Sequence, residues 1–153
     1  MKPAVKVVLG AVGALLVMQL APYGRNHTNP PVVKEPAWND PATRALAKRA
    51  CFNCHSFETV WPDYASIAPA SWLVYRDVIE GREHLNFSDW QAGRREGEQP
   101  DEMAKEINEG EMPPLVYRLA HPEARLSPAE KMQLIQGLRT TAAARTVQGT
   151  ATH

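Results

Sequence analysis

Both cysteines of this 153-residue chain fall inside one pentapeptide, Cys51-Phe52-Asn53-Cys54-His55, and that spacing limits what the chain can become more than any other feature. No thiol remains for a disulfide elsewhere, so the fold must be fastened by packing or by a bound group. On a helical turn, residues three and four apart share one side. Two thiols and an imidazole therefore meet on a single face, where each thiol can add to one vinyl group of a haem and His55 can reach the iron. A zinc knuckle would need further cysteine or histidine ligands at short spacing, and a redox dithiol would need a βαβ setting. The sequence offers neither pattern, and the expectation is one covalent haem c held by Cys51, Cys54 and His55, with His55 on the iron.

Lys2 and Lys6 precede an apolar run from Val7 to Met18, a pattern explained by a secretory signal or a membrane anchor. Either places the residues after Ala21 outside the cytoplasm. Gln19 ends the run short of the roughly 17–25 residues of a typical spanning helix. Lys6 can snorkel, however, and Gln19-Leu20-Ala21 makes a poor cleavage site. Residues 1–21 are read as an uncleaved N-terminal membrane helix, with a cleaved signal peptide as the alternative. Lysine plus arginine equal aspartate plus glutamate at 17 each, so no basic face for nucleic acid is expected.

Residues 22–39 carry Pro30-Pro31, Pro36 and several asparagines, and read as an extended tether. The haem domain is expected over 40–140. Its first helix starts at Asp40 as N-cap with Pro41 at the first position and runs to Ala50. The spacing of Trp72, Tyr75, Val78 and Ile79 predicts a helix over 71–80 closed by Gly81, and a short helix is expected from Ser88. Residues 91–100 read as a surface loop, and 101–108 as a helix closed by Gly110. Glu111-Met112-Pro113-Pro114 reads as forced non-helix. Ser127, Pro128 and Glu130 form a capping box for a last helix, and 141–153 reads as a disordered tail. With no period-two alternation, the fold class is all-α with long loops.

Met112 is the favoured second iron ligand, because two prolines hold it in a stiff loop and a thioether suits electron-transfer haem. The rivals are His84 and His121, either of which would give a bis-histidine iron. His55 needs its other ring nitrogen held, commonly by a carbonyl, and Pro62 and Pro69 lie at plausible distances. Trp61, Tyr64 and Trp72 head a concentration of aromatics after the motif that could line a flat macrocycle. Arg76, Arg82 and Arg118 could pair with propionates.

A helix leading into Cys-x-x-Cys-His, a later Met-Pro loop and a closing amphipathic helix resemble the class I cytochrome c fold. The stretches Trp61-Pro62-Asp63-Tyr64, Ile67-Ala68-Pro69, Ser71-Trp72, Leu85-Asn86-Phe87-Ser88-Asp89-Trp90 and Gly110-Glu111-Met112-Pro113-Pro114 resemble the bacterial haem-binding domain family. That resemblance implies an exported or membrane-tethered monohaem protein on the periplasmic side of the inner membrane. The leading functional expectation is one-electron transfer with redox protein partners there. The alternatives are a haem enzyme or gas sensor with an open distal site, and a docking module stabilised by haem.

Overall fold

The computed structural model describes residues 2–148, and these are helical with no β-strand. Helix α1 spans Pro3–Met18, α2 Pro41–Ala50, α3 Phe52–His55, α4 Ala70–His84, α5 Pro100–Glu109, α6 Leu115–Ala120 and α7 Pro128–Gln148, with short 3-10 turns between them. The core lies where α2 and α5 pack on α7. Leu46 and Ala47 of α2, Met103 and Ile107 of α5, and Leu134 and Leu138 of α7 are buried there. Phe52, inside the cysteine motif, extends this core through a stack on Phe87 at 5.5 Å and onward to Trp90. The motif is thereby built into the core as well as into the site.

The helix starts follow local chemistry. Asp40 accepts a hydrogen bond from the Thr43 amide at 2.8 Å, with Pro41 in the first turn. At α7, the Ser127 amide donates to Glu130 at 2.8 Å while Ser127 Oγ accepts from the Glu130 amide at 3.2 Å, a complete capping box. Gly110 closes α5 at φ 80°, a conformation that costs a glycine little.

Several expectations change. Helix α4 passes through Gly81 to His84 instead of stopping there. No helix starts at Ser88; Asp89 instead makes an isolated parallel bridge with Lys34. Within 91–100, a 3-10 turn carries Glu98, whose buried carboxylate accepts from the Gln91 and Gly93 amides and pairs with Arg95. Pro114 caps α6, a helix not anticipated from the sequence. Helix α7 continues beyond Thr140 to Gln148 with Thr141 and Ala142 buried, where a disordered tail was expected; the remainder of that tail, 149–153, lies outside the described residues. Met103 packs in the core, whereas Met132 is 67% exposed.

The segment 22–39 is irregular and lies against the domain. Trp38 packs on Phe87 at 5.2 Å and Asn29 accepts from Arg82. Helix α1 is 16 residues long with none of them buried, and no helix among the described residues is long and apolar enough to cross a membrane.

The Ser127 amide and the Arg49 guanidinium, 2.5 Å away, hold the Glu130 carboxyl down to about 2. A depressed carboxylate contributes stability that is present above its ordinary value and lost as pH falls toward the folded value. Glu130→Gln is therefore expected to flatten the loss of stability between pH 4.5 and about 2, read by chemical denaturation at each pH. An unchanged acid limb would contradict this role.

Candidate haem-binding site

Helix α3 is one turn, and its sequence brings Cys51, Cys54 and His55 to the junction of α2 and α4. The His55 amide bonds to the Cys51 carbonyl at 2.9 Å, which sets the helical turn that the spacing predicts. The ring is oriented from the other side. His55 Nδ1 lies 2.8 Å from the Gly81 carbonyl and 3.1 Å from the Leu85 carbonyl. Carbonyls only accept, so Nδ1 carries the proton and Nε2 keeps its lone pair. Pro62 and Pro69 do not take this part.

Gly81 has a second task. A Cβ there would lie 2.8 Å from the Cys54 carbonyl, closer than real Cβ contacts come, so only glycine lets α4 approach α3 this closely. The Phe87 amide donates to the His55 carbonyl at 2.8 Å and Ser56 Oγ to the Phe52 carbonyl at 2.7 Å. Arg82 is engaged on one edge: Nε donates to the Ser56 carbonyl at 2.8 Å, Nη2 to Asn29 and Thr59, and its guanidinium lies over Phe57. It holds the loop after the motif. Arg76 pairs with Asp77 and Glu80 at the surface.

A cleft opens beside Cys54, lined by Asn53, Val60, Tyr64, Val74, Asp77, Val78, Tyr117 and His121 among others. Tyr64 Oη and His121 Nε2 are 2.9 Å apart, and His121 Nδ1 lies 2.9 Å from the Glu123 carboxylate. With a carboxylate on Nδ1, the tautomer is fixed and Tyr64 donates to Nε2. Tyr117 stacks on His121 at 4.3 Å and accepts from Asn53 at 2.8 Å, while burial pushes its phenol up to about 12. Tyr117 went unnoticed in the sequence, since α6 itself did, and Asn53 is part of the motif but shows this bond only in the fold.

Of the three aromatics singled out in the sequence, Tyr64 lines this cleft and Trp61 and Trp72 do not. Trp61 stacks on His27 at 4.5 Å and neighbours Tyr75, and on α4 Trp72 points away from the side bearing Val74 and Val78. Met112 lies in the loop between α5 and α6, its amide bonded to the Glu106 carbonyl at 3.1 Å and its side chain exposed, outside the cleft lining. His84 sits in the last turn of α4, the helix that takes His55 Nδ1.

A haem suits this donor set. Burial pushes the Cys51 thiol up to about 12 and Cys54 up to about 11, so both are protonated at neutral pH. Such S–H groups can add to a vinyl. Burial also lowers the His55 pKa, opposed by its two carbonyl bonds, which keeps the imidazole neutral and able to ligate. Cys54 opens on a small cleft of about 60 Å³ whose apolar and aromatic walls have room for no more than the edge of a macrocycle. Among the described residues, no three His, Cys, Asp or Glu side chains gather as a separate metal-ion site.

Gly81→Ala would force α4 away from Cys54 and stretch the His55 bond. The expected outcome is a loss of about 1–3 kcal/mol of stability, the usual cost of overpacking, together with a lower haem content of the purified protein. Denaturation and the ratio of haem to protein read the two effects, and a variant unchanged in both would contradict the assigned role.

Neither a curated protein nor a solved structure matched the chain. A family described as Haem-binding domain matches residues 13–140, which takes in α2 to α6, the last six residues of α1 and α7 as far as Thr140. On that match and the site it covers, the chain belongs to the haem-binding domain family.

Proposed function

We propose that this protein is an extracytoplasmic, membrane-anchored monohaem c-type cytochrome that passes single electrons between redox proteins. Cys51 and Cys54 are the attachment points: each S–H adds across a vinyl, forming one carbon–sulfur bond with no group lost and no oxidant needed. The observation that carries the reading is the pairing of His55 Nδ1 with the Gly81 and Leu85 carbonyls, which aims a neutral Nε2 from the turn that holds both thiols. The haem, when bound, supplies the one-electron couple.

Met112 is the proposed second ligand. Its rival His121 already has Nε2 engaged by Tyr64, and His84 lies on the helix behind the Nδ1 side of His55. The loop carrying Met112 is stiffened by left-handed Gly110, the bond to the Glu106 carbonyl and the buried Pro113. The Met112 residue keeps 36% of its surface open at the end of that loop. Methionine ligation raises the potential and closes the iron to small ligands, as an electron carrier requires.

One observation favours the alternative, a haem enzyme or sensor. Tyr64, His121 and Glu123 form a hydrogen-bonded chain beside the cleft, the kind of group that can hand over a proton.

Absorption spectra of the haem-loaded protein with carbon monoxide, wild type against Met112→Ala, separate the two. The electron carrier is expected to refuse carbon monoxide in the wild type, and the variant to bind it and to show a lower reduction potential. Carbon monoxide binding by the wild type would remove Met112 from the iron and favour the enzyme or sensor.

A further inference from the structure

Beyond Lys6 in its second turn, helix α1 is apolar on every side, and Val7, Leu9, Val12 and Leu16 are among its exposed residues. A helix hydrophobic all round is normally buried in protein or lipid, and no part of the described chain covers this one. The junction that follows it is fastened to the domain. Gln19 Nε2 donates to the Ala68 carbonyl at 2.8 Å and Gln19 Oε1 accepts from the Ala68 amide at 3.0 Å, so one side chain takes both backbone groups of the residue after Ile67. Gly24, at φ 78°, packs so closely on the Ser71 carbonyl that a Cβ would collide with it, and Tyr23 meets Tyr75 edge-on at 5.4 Å. Arg25 Nη2 donates to the Gln19 carbonyl at 2.7 Å, placing a cation at the C-terminal end of the helix.

The length of α1 sharpens the consequence. Sixteen residues at about 1.5 Å each give roughly 24 Å, short of the roughly 30 Å hydrocarbon core of a bilayer. An anchor too short for the membrane draws whatever is fixed to its end toward the headgroups. Here that is Leu20, 81% exposed, and Ile67, 59% exposed and held beside Gln19 through Ala68.

We infer that the surface formed by Leu20 and Ile67 rests in the interfacial layer of the bilayer that holds α1, so that the haem domain is docked on the membrane in one orientation. This rests on the reading of α1 as a membrane anchor. The 3-10 turn Asp63–Ser66 carries Tyr64 into the cleft and leads directly into Ile67, so the cleft and the lipid-facing surface are neighbours. A redox partner meeting the cleft would approach along the membrane plane.

Single nitroxide labels on the haem-loaded full chain test this in vesicles of phosphatidylethanolamine and phosphatidylglycerol. Val12→Cys reports on the anchor, Ile67→Cys on the proposed surface and Met132→Cys on a solvent face. Collision with oxygen is compared with collision with a water-soluble nickel chelate. The label at 67 is expected to be several-fold less open to nickel than that at 132, and the label at 12 to be protected from nickel and open to oxygen. Adding Gln19→Ala is expected to raise nickel access at 67 several-fold while leaving 12 unchanged. Equal nickel access at 67 and 132, with 12 still in lipid, would overturn the docked surface and leave the anchor standing. Nickel access at 12 would overturn both. Protection at 12 from both reagents in a soluble dimer would put a second copy on α1 and also overturn the proposal.

Discussion

The contact between His55 Nδ1 and the Gly81 carbonyl is the interaction on which the rest of the site depends. It requires α4 to lie against α3 at a distance only glycine permits, and it fixes the tautomer of the imidazole in the same stroke. Leu85 adds a second carbonyl, and Phe87 returns an amide to the His55 carbonyl, so the end of α4 and the turn after it wrap His55 from one side. The turn of α3 needs no strength of its own. It is four residues long, far below what a helix in water sustains, and it persists because Phe52 is buried and α4 is packed against it.

Two bodies of structure meet at this contact. One is the packed core of α2, α5 and α7, which Phe52 joins through Phe87 and Trp90. The other is the cleft beside Cys54, where Tyr64, Tyr117 and His121 hold one another by hydrogen bonding and stacking. Arg82 braces the loop between them by bonding to Ser56, Asn29 and Thr59. Nε and Nη2 of Arg82 are spent in this way, whereas Arg76 pairs only with Asp77 and Glu80 at the surface.

Features governed by local chemistry were legible in the sequence. Asp40-Pro41, Ser127-Pro128-Glu130 and Gly110 act through bonds and dihedrals spanning a few residues, and each stands where its residue type suggests. The haem motif is of the same kind. What escaped was decided by contacts between distant segments. Gly81 reads as a helix end from its lack of a side chain, yet that same lack is used for close approach to Cys54. Pro113-Pro114 reads as a break, although proline at a helix start is harmless and α6 begins at once. Residues 22–39 look free for want of apolar periodicity, but single residues such as Trp38 and Asn29 are enough to seat them. Trp61 and Trp72 could not be assigned from composition, because an aromatic beside a haem and one against a neighbouring segment are the same residue type.

The central claim is that Cys51 and Cys54 are the points at which one haem is joined to this chain. The most direct measurement is the intact mass of the haem-loaded protein after extraction with acidified acetone, compared with that of the Cys51→Ala/Cys54→Ala double variant. The account requires the wild type to keep the mass of one haem, with no hydrogens lost, and the double variant to release it. Release of the haem from the wild type by the same extraction would contradict it.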